Sequence, residues 1–187
     1  AVEEGAGILG TGEIGIGNTT TASAVLHAFG AGELDEIVGR GAGLSDEGLR
    51  HKKEVIRRAV ELNRPDPADP VDVLSKVGGF DIAGLCGCYL AAAALRRPIV
   101  IDGFIAGTAA VAAVKMHPGA RDFMFTSHAS AEPGVAAISR VLELSPMLAL
   151  DMRLGEGTGA ALAFHVIEAA LKIVNEMGTF KIGRAHV

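Results

Sequence analysis

Tryptophan is absent from this chain of 187 residues, and aromatic residues make up only 4% of it. The core must therefore be built from Ala, Val, Ile and Leu, as in tightly packed α/β proteins. Charged residues are also few, at 21%, whereas hydrophobic residues reach 49%, which excludes a disordered chain. The length suffices for one domain with a real core, or for most of a larger domain.

The sequence has no excess of basic residues. Its 17 Lys and Arg are outnumbered by 22 Asp and Glu, which gives a formal net charge of −5. A nucleic-acid partner would require a basic face, so none is expected. The uncharged, Ala-rich run at residues 82–95 is shorter than the roughly 20 apolar residues that cross a bilayer, and no secretory leader opens the chain. We therefore predict a cytoplasmic protein without a membrane partner.

Cysteine is rare: Cys86 and Cys88 are the only two. Positions i and i+2 of a helix do not face each other, so this pair can neither share a metal nor form a disulfide easily. We interpret both as small core residues of a reduced compartment. The scattered histidines lack the spacing of metal ligands, and the sequence predicts neither a metal site nor a cofactor.

Short apolar segments alternate with helical patterns along the chain. Strands are predicted at residues 7–11, 98–102, 123–126 and 148–151, and helices between them, with Ser45 and Asp69 as N-caps. These strands are too short and too uniformly apolar for burial on one face alone. The predicted class is a three-layer α/β/α fold with a mostly parallel, Rossmann-like sheet.

Ligands of such folds bind beyond the carboxyl ends of the strands. The residues predicted at that edge are Glu13, Asp102, Ser127, His128 and Glu156. A lone histidine at a strand end is more often structural than catalytic. The Gly-x-Ser-x-Gly elbow of hydrolases is missing from this region of the sequence, so a hydrolase triad is disfavoured.

The segment at residues 12–20 reads GEIGIGNTT and lies between a predicted strand and helix. Closely spaced glycines let backbone N–H groups approach an anion, and the helix start supplies positive potential. Asn18, Thr19 and Thr20 add side-chain donors. The segment lacks the lysine of a P-loop and the spacing of the dinucleotide fingerprint. The residues alone leave open whether it binds a phosphate or only forms a tight turn.

A second glycine-rich segment, GEGTG at residues 155–159, places Glu156 at another predicted strand-to-helix junction. Glycines cost stability unless the backbone needs their freedom, so packing explains this carboxylate poorly. The alternative is a glutamate that complements the helix dipole. A third segment at residues 127–134, SHASAEPG, combines hydroxyls, an imidazole and an acid.

Seven segments, in order from about residue 5 to 180, resemble those of the nicotinate-nucleotide–dimethylbenzimidazole phosphoribosyltransferase family. They are GEIGIGNTT at 12–20, GRGAGL at 39–44, VGGFDIA at 77–83, DGFI at 102–105, SHASAEPG at 127–134, RLGEGTGA at 153–160 and NEMGTF at 175–180. Their shared order makes coincidence an inadequate explanation.

The resemblance implies transfer of 5-phosphoribose from nicotinate mononucleotide to 5,6-dimethylbenzimidazole, which gives α-ribazole phosphate and nicotinate. Glu156 matches the family's catalytic base, and a carboxylate suits removal of a benzimidazole N–H proton. Glu13 and Lys52 match polar positions near the ribose and phosphate, and Glu13 could stabilise an oxocarbenium-like transition state. For Lys52, the alternative is a solvated surface lysine. The other residues expected to bind the substrate or its phosphate are Gly15, Gly17, Asn18, Thr19, Asp102, Ser130, Gly155 and Gly157.

The chain has about half the family's length, and the N-terminal portion of the family fold is missing. In the family that portion contributes strands, the dimer interface and part of the benzimidazole pocket. We therefore expect a homodimer at full length, and exposed apolar surface and lost activity for this chain alone. Residues 1–180 are assigned to one catalytic domain and residues 181–187 to a non-native addition; Thr21 and Ala42 are minor departures. The alternatives are a non-catalytic nucleotide-binding module and the same transfer to another base.

Overall fold

A computed structural model describes residues 1–41 and 43–178. The elements follow one another as β1 (Leu9–Gly10), α1 (Asn18–Ala28), α2 (Leu34–Ile37), α3 (Asp46–Asn63), α4 (Pro70–Val77), α5 (Phe80–Ala94), β2 (Ile99–Ile101), α6 (Gly103–Met116), a 3₁₀ helix (Pro118–Phe123), β3 (Met124–Thr126), α7 (Val135–Leu142) and α8 (Thr158–Glu176). Strands thus alternate with helices, as the sequence predicts.

The three strands form a parallel sheet in the order β1-β2-β3. The central strand β2 is buried along its whole length, and its residues alternate between two cores. Val100 packs with Ala160 and Ala163 of α8, whereas Ile99 and Ile101 join the main core. The main core also contains residues of α1, α5 and α6. Helices therefore cover both faces of the sheet, which confirms the predicted three-layer class; the Rossmann-like description stays a prediction.

The predicted helix caps are confirmed. The Ser45 side chain accepts a hydrogen bond from the backbone N–H of Gly48 at 3.1 Å, where α3 begins. Asp69 Oδ1 accepts from Val71 N and Asp72 N at the start of α4, where Pro70 occupies the first turn. These side chains satisfy N–H groups that lack a partner within the helix.

Several sequence predictions differ from the structure. The strand predicted at residues 148–151 is wrong, because Leu148 forms only a single parallel bridge with His128. Asp151 has a φ of 51°, which lies outside the extended region and ends the segment. The sequence predicts the first helix from about residue 21 to residue 29, but α1 begins three residues earlier, at Asn18, and the short α2 is not among the predicted helices. Cys86 is buried as expected, but Cys88 is exposed, so the core assignment is wrong for that residue.

Helix α8 is, within the described residues, the one helix long and apolar enough to span a membrane by length and composition. Only 17% of its most apolar window is buried, and Leu162, Leu171 and Val174 are exposed. The expectation of exposed apolar surface is therefore confirmed. Ala42, the end of the NEMGTF segment and the expected non-native addition at residues 181–187 lie outside the described residues.

Candidate functional site

Two glycine-rich loops meet backbone to backbone beyond the carboxyl end of β1. A Cβ atom built on Gly12 would lie 2.2 Å from the nitrogen of Gly157 and 2.7 Å from the carbonyl carbon of Glu156. Only glycine leaves room for this approach. A Cβ on Gly155 would similarly lie 3.3 Å from Glu13 Oε1. The packing therefore brings Glu13 and Glu156 together from distant parts of the sequence.

Both glutamates line the same cavity, of about 360 Å³. Its walls include these residues from the predicted set: Glu13, Gly15, Gly17, Asn18, Thr19, Asp102, Ser130, Gly155 and Glu156. A neighbouring cavity of about 480 Å³ also contains both carboxylates, together with Gly157, Ala160, Ala161 and Phe164. The structure thus gathers the predicted site residues around two adjoining cavities, with Lys52 behind the wall at Thr19.

The start of α1 faces the smaller cavity. Gly17 is its N-cap, with a φ of 81°, and no side chain caps the helix there. The Asn18 side-chain amide instead donates a hydrogen bond to Glu13 Oε2. The first backbone N–H groups of a helix carry partial positive charge and bind anions readily. This end of the cavity is consequently suited to a phosphate, and phosphate binding there stays a prediction.

Glu13 is a half-buried carboxyl group among other acids. Burial raises its pKa, and the hydrogen bond from Asn18 opposes that effect. The charges of Asp81, Asp102 and Glu156 raise the pKa further. A positive centre placed in the cavity would therefore be favoured, because it would relieve the repulsion among these carboxylates.

Glu156 occupies a strained turn. Gly155, Glu156 and Gly157 are successive residues with positive φ, at 79°, 59° and 80°. This region is uncommon for a residue with a side chain. Thr158 stabilises the turn, because both its N–H and its hydroxyl donate to the carbonyl of Gly155, at 3.1 and 2.8 Å. The turn presents the Glu156 side chain to both cavities.

Asp102 lies deeper in the wall, where only 3% of it is exposed. Its Oδ2 accepts a hydrogen bond from Gly157 N and its Oδ1 from Gly159 N, each at 2.8 Å. His128 is also buried, and its Nδ1 lies 2.9 Å from Ser127 Oγ and 3.7 Å from Asp102 Oδ1. Both contacts involve the same ring nitrogen, an arrangement unlike that of a hydrolase triad, in which the two nitrogens have different partners.

Lys52 is buried, so the alternative of a solvated surface lysine is wrong. Its Nζ donates to Thr19 Oγ1 at 2.9 Å and to the carbonyl of Gly39 at 3.1 Å. Burial lowers the pKa of Lys52, whereas the negative charge of Glu132 raises it. The neighbouring Lys53 instead forms an ion pair with the exposed Asp35 at 2.7 Å. Lys52 therefore joins α3 to the start of α1.

Two charged residues of the smaller cavity, Glu132 and Arg153, are not among the predicted site residues. Glu132 Oε2 is buried and has no hydrogen-bond partner among the described residues. Glu132 and Arg153 both lie in segments that resemble those of the family, but nothing in a single sequence distinguishes them from ordinary loop residues. The cavity lining also includes three exposed apolar residues, namely Ile14, Ile16 and Leu154.

A family model described as Phosphoribosyltransferase matches residues 1–185. The nicotinate-nucleotide–dimethylbenzimidazole phosphoribosyltransferase of Ruminiclostridium cellulolyticum is 58% identical over 178 residues, which cover 95% of this chain and 51% of that protein. The protein of the same name from Acetivibrio thermocellus is 57% identical, with the same coverage. The crystal structure of CobT from Thermus thermophilus has 42% sequence identity and a TM-score of 0.88, over 92% of this chain and 52% of that one. The chain thus spans about half the length of the relatives it matches.

Proposed function

Because the chain belongs to the phosphoribosyltransferase family, we propose that it supplies the nucleotide-binding and catalytic part of a nicotinate-nucleotide–dimethylbenzimidazole phosphoribosyltransferase. The reaction would transfer 5-phosphoribose from nicotinate mononucleotide to 5,6-dimethylbenzimidazole, in cobalamin biosynthesis. The names of the relatives support this choice of substrates. The observation that carries the proposal is the shared cavity, in which Glu13 and Glu156 face the start of α1.

The phosphate of the nucleotide is assigned to the start of α1. Backbone N–H groups at a helix start bind anions without a cation in direct contact. Gly15, Gly17 and Asn18 leave this backbone accessible at the cavity wall. Lys52 lies behind Thr19 and orients its hydroxyl, while adding positive charge to a cavity rich in carboxylates. Ser130 supplies a further hydroxyl on the same wall.

The ribose is assigned to the space between the two carboxylates. One nitrogen of the acceptor base attacks the anomeric carbon as the bond to nicotinate breaks, and the bonding electrons return to the pyridine nitrogen. Glu156 accepts the proton that the other benzimidazole nitrogen loses. Glu13 stabilises the positive charge that develops on the ribose. Burial raises the pKa of Glu13 and the neighbouring carboxylates raise it further, and a cation that develops on the ribose would offset both effects.

The wider setting is also proposed. We expect a cytoplasmic homodimer at full length, without nucleic-acid or membrane partners and without a cofactor. The net charge of −5 supports the exclusion of nucleic acid. The exposed apolar residues of α8 are expected to pack against the remainder of the complete protein. Residues 1–180 as one domain, with 181–187 as a non-native addition, remain part of this proposal.

A chimera tests the activity. This chain replaces the matching half of the Ruminiclostridium cellulolyticum relative, with which it shares 58% identity. We expect nicotinate release that requires both nicotinate mononucleotide and 5,6-dimethylbenzimidazole, with α-ribazole phosphate as the second product. A folded chimera that binds the nucleotide without releasing nicotinate would instead identify a non-catalytic module. Competition among several bases would reveal a different preferred acceptor.

A further inference from the structure

We propose that Asp102 is a positioning residue, which acts on the reaction by holding the Glu156 loop in place. This inference rests on the proposed function, since it concerns the base of that reaction. Both carboxylate oxygens of Asp102 accept hydrogen bonds from backbone N–H groups, Oδ2 from Gly157 and Oδ1 from Gly159, each at 2.8 Å. Both oxygens of the Asp102 side chain therefore bind the loop, although Asp102 also lines the smaller cavity.

The contact replaces a cap that α8 lacks. Gly157 is the N-cap residue of α8 and has no side chain with which to satisfy the first N–H groups. The carboxylate of Asp102, which follows β2 and lies far away in the sequence, takes the place of such a side chain. A carboxylate at a helix N-terminus is favoured by hydrogen bonding and by the helix dipole. One buried side chain thus joins the central strand to the first turn of α8.

The fit around Asp102 leaves no room for a side chain at position 159. A Cβ atom on Gly159 would lie 2.6 Å from Asp102 Oδ1 and 2.1 Å from His128 Nδ1. The first turn of α8 consequently lies directly on the carboxylate. Glycine at this position permits the contact, and a larger residue would push the helix away from the strand.

The strain in the adjoining turn explains why such an anchor is needed. Glu156 has a positive φ between two glycines that also have positive φ. Backbone of this kind persists only where surrounding contacts determine it. The anchored N–H of Gly157 belongs to the peptide that follows Glu156, so a shift of this peptide moves the base itself. A displacement of about 1 Å at a reacting group can lower a rate by about a hundredfold.

The first test is made on the 187-residue chain and needs no turnover. In Asp102→Asn, an amide group replaces one acceptor oxygen, so one of the two N–H groups loses its partner. We expect amide hydrogen exchange at Gly157 or Gly159 to become at least about tenfold faster, the scale of one charge-assisted hydrogen bond. Asp81→Asn is the matched control, because it removes another charge that acts on Glu13 without bonding to the loop. Unchanged exchange in Asp102→Asn would overturn the proposal.

The second test is a double-mutant cycle in the chimera. We expect Asp102→Asn to lower kcat by about a hundredfold with little change in KM for nicotinate mononucleotide. In a Glu156→Gln background the same change should have little further effect, because Asp102 acts through Glu156. A raised KM with unchanged kcat, or effects that multiply in the double variant, would show that Asp102 contacts the substrate itself.

The two tests distinguish a failure of the proposed function from a failure of the positioning role. If the parent chimera releases no nicotinate, the proposed function fails, while hydrogen exchange in the chain still decides whether Asp102 holds the loop. If Asp102→Asn does not fold, Asp102→Glu keeps the charge but displaces both oxygens, and the same cycle is measured with it. Full kcat in a folded Asp102→Glu chimera would overturn the positioning role.

Discussion

Gly12 and Gly157 contact each other through their backbones, although they lie 145 positions apart in the sequence. A Cβ atom on Gly12 would lie 2.2 Å from Gly157 N, which is closer than real side-chain contacts come. This contact fixes the distance between the two loops that carry Glu13 and Glu156. The geometry of the candidate site thus depends on the lack of a side chain at Gly12 as much as on the two carboxylates.

Gly12→Ala tests this contact. The added methyl group must push the two loops apart, so we expect kcat of the chimera to fall by about a hundredfold, the scale of a misplaced reacting group. Gly84→Ala is the control, because nothing lies within 4 Å of a Cβ at that position in α5. Replacing a helical glycine by alanine there should raise stability by about 0.5–1 kcal/mol and leave kcat unchanged. Equal kcat for both variants would contradict the account.

Glu156→Gln tests the base. The amide cannot accept the benzimidazole proton, so we expect kcat of the chimera to fall by about 10²–10⁴-fold. Binding of nicotinate mononucleotide, measured by calorimetry, should remain nearly intact. Glu168→Gln is a matched change further along α8, where the side chain is 72% exposed, and it should leave both quantities unchanged. Full activity of the Glu156→Gln chimera would remove this residue from the mechanism.

The pH dependence of thermal stability in Glu13→Gln tests whether the charged Glu13 carboxylate destabilises the fold. Burial, and then the neighbouring carboxylates, raise the pKa of Glu13 above its ordinary value of 4.5, in spite of Asn18. The folded state therefore binds this proton more tightly than the unfolded chain does. The charged form consequently destabilises the fold at pH values above the folded pKa, and this cost disappears as the pH falls below 4.5.

The Glu13→Gln variant should accordingly unfold at a higher temperature than the parent at about pH 8. A difference on the order of 1–2 °C is expected, because solvent screens a half-exposed group. The two Tm values should converge by about pH 4. Thermal unfolding followed by circular dichroism measures both, and a difference that grows toward acid pH would contradict the assignment.

Lys52→Met and Lys53→Met form a matched pair. Lys52 supports Thr19 at the start of α1, whereas Lys53 pairs with an exposed aspartate. We expect Lys52→Met to weaken binding of nicotinate mononucleotide by about tenfold or more, the scale of a charge-assisted hydrogen bond. Lys53→Met should change the affinity by less than about twofold. Equal affinities for the two variants would show that Lys52 has only a structural role.

Much of the fold follows from local sequence signals. Ser45 and Asp69 are recognisable as N-caps because their preference depends on one turn of backbone, and both form the expected bonds. The apolar run at residues 148–151 has the local pattern of a strand. Pairing, however, depends on a neighbouring strand, and only Leu148 finds a partner.

The candidate site likewise has features that the local sequence indicates and features that depend on tertiary packing. Glycine spacing indicates the loops of Glu13 and Glu156, because close backbone approach requires glycines, which are visible in the local sequence. The bonds of Asp102 to Gly157 and Gly159 cannot be foreseen, because they join residues 55 and 57 positions apart. The buried oxygen of Glu132 and the burial of Lys52 likewise depend on tertiary packing, which a single sequence does not display.

A crystal structure of the chimera with nicotinate mononucleotide, in the absence of an acceptor base, would show directly where the phosphate and the ribose bind. We expect one bound nucleotide, whose phosphate accepts hydrogen bonds from the N–H groups at the start of α1 and whose ribose lies between the carboxylates of Glu13 and Glu156. A fully occupied nucleotide that lies outside both cavities, or whose ribose contacts neither carboxylate, would contradict this expectation.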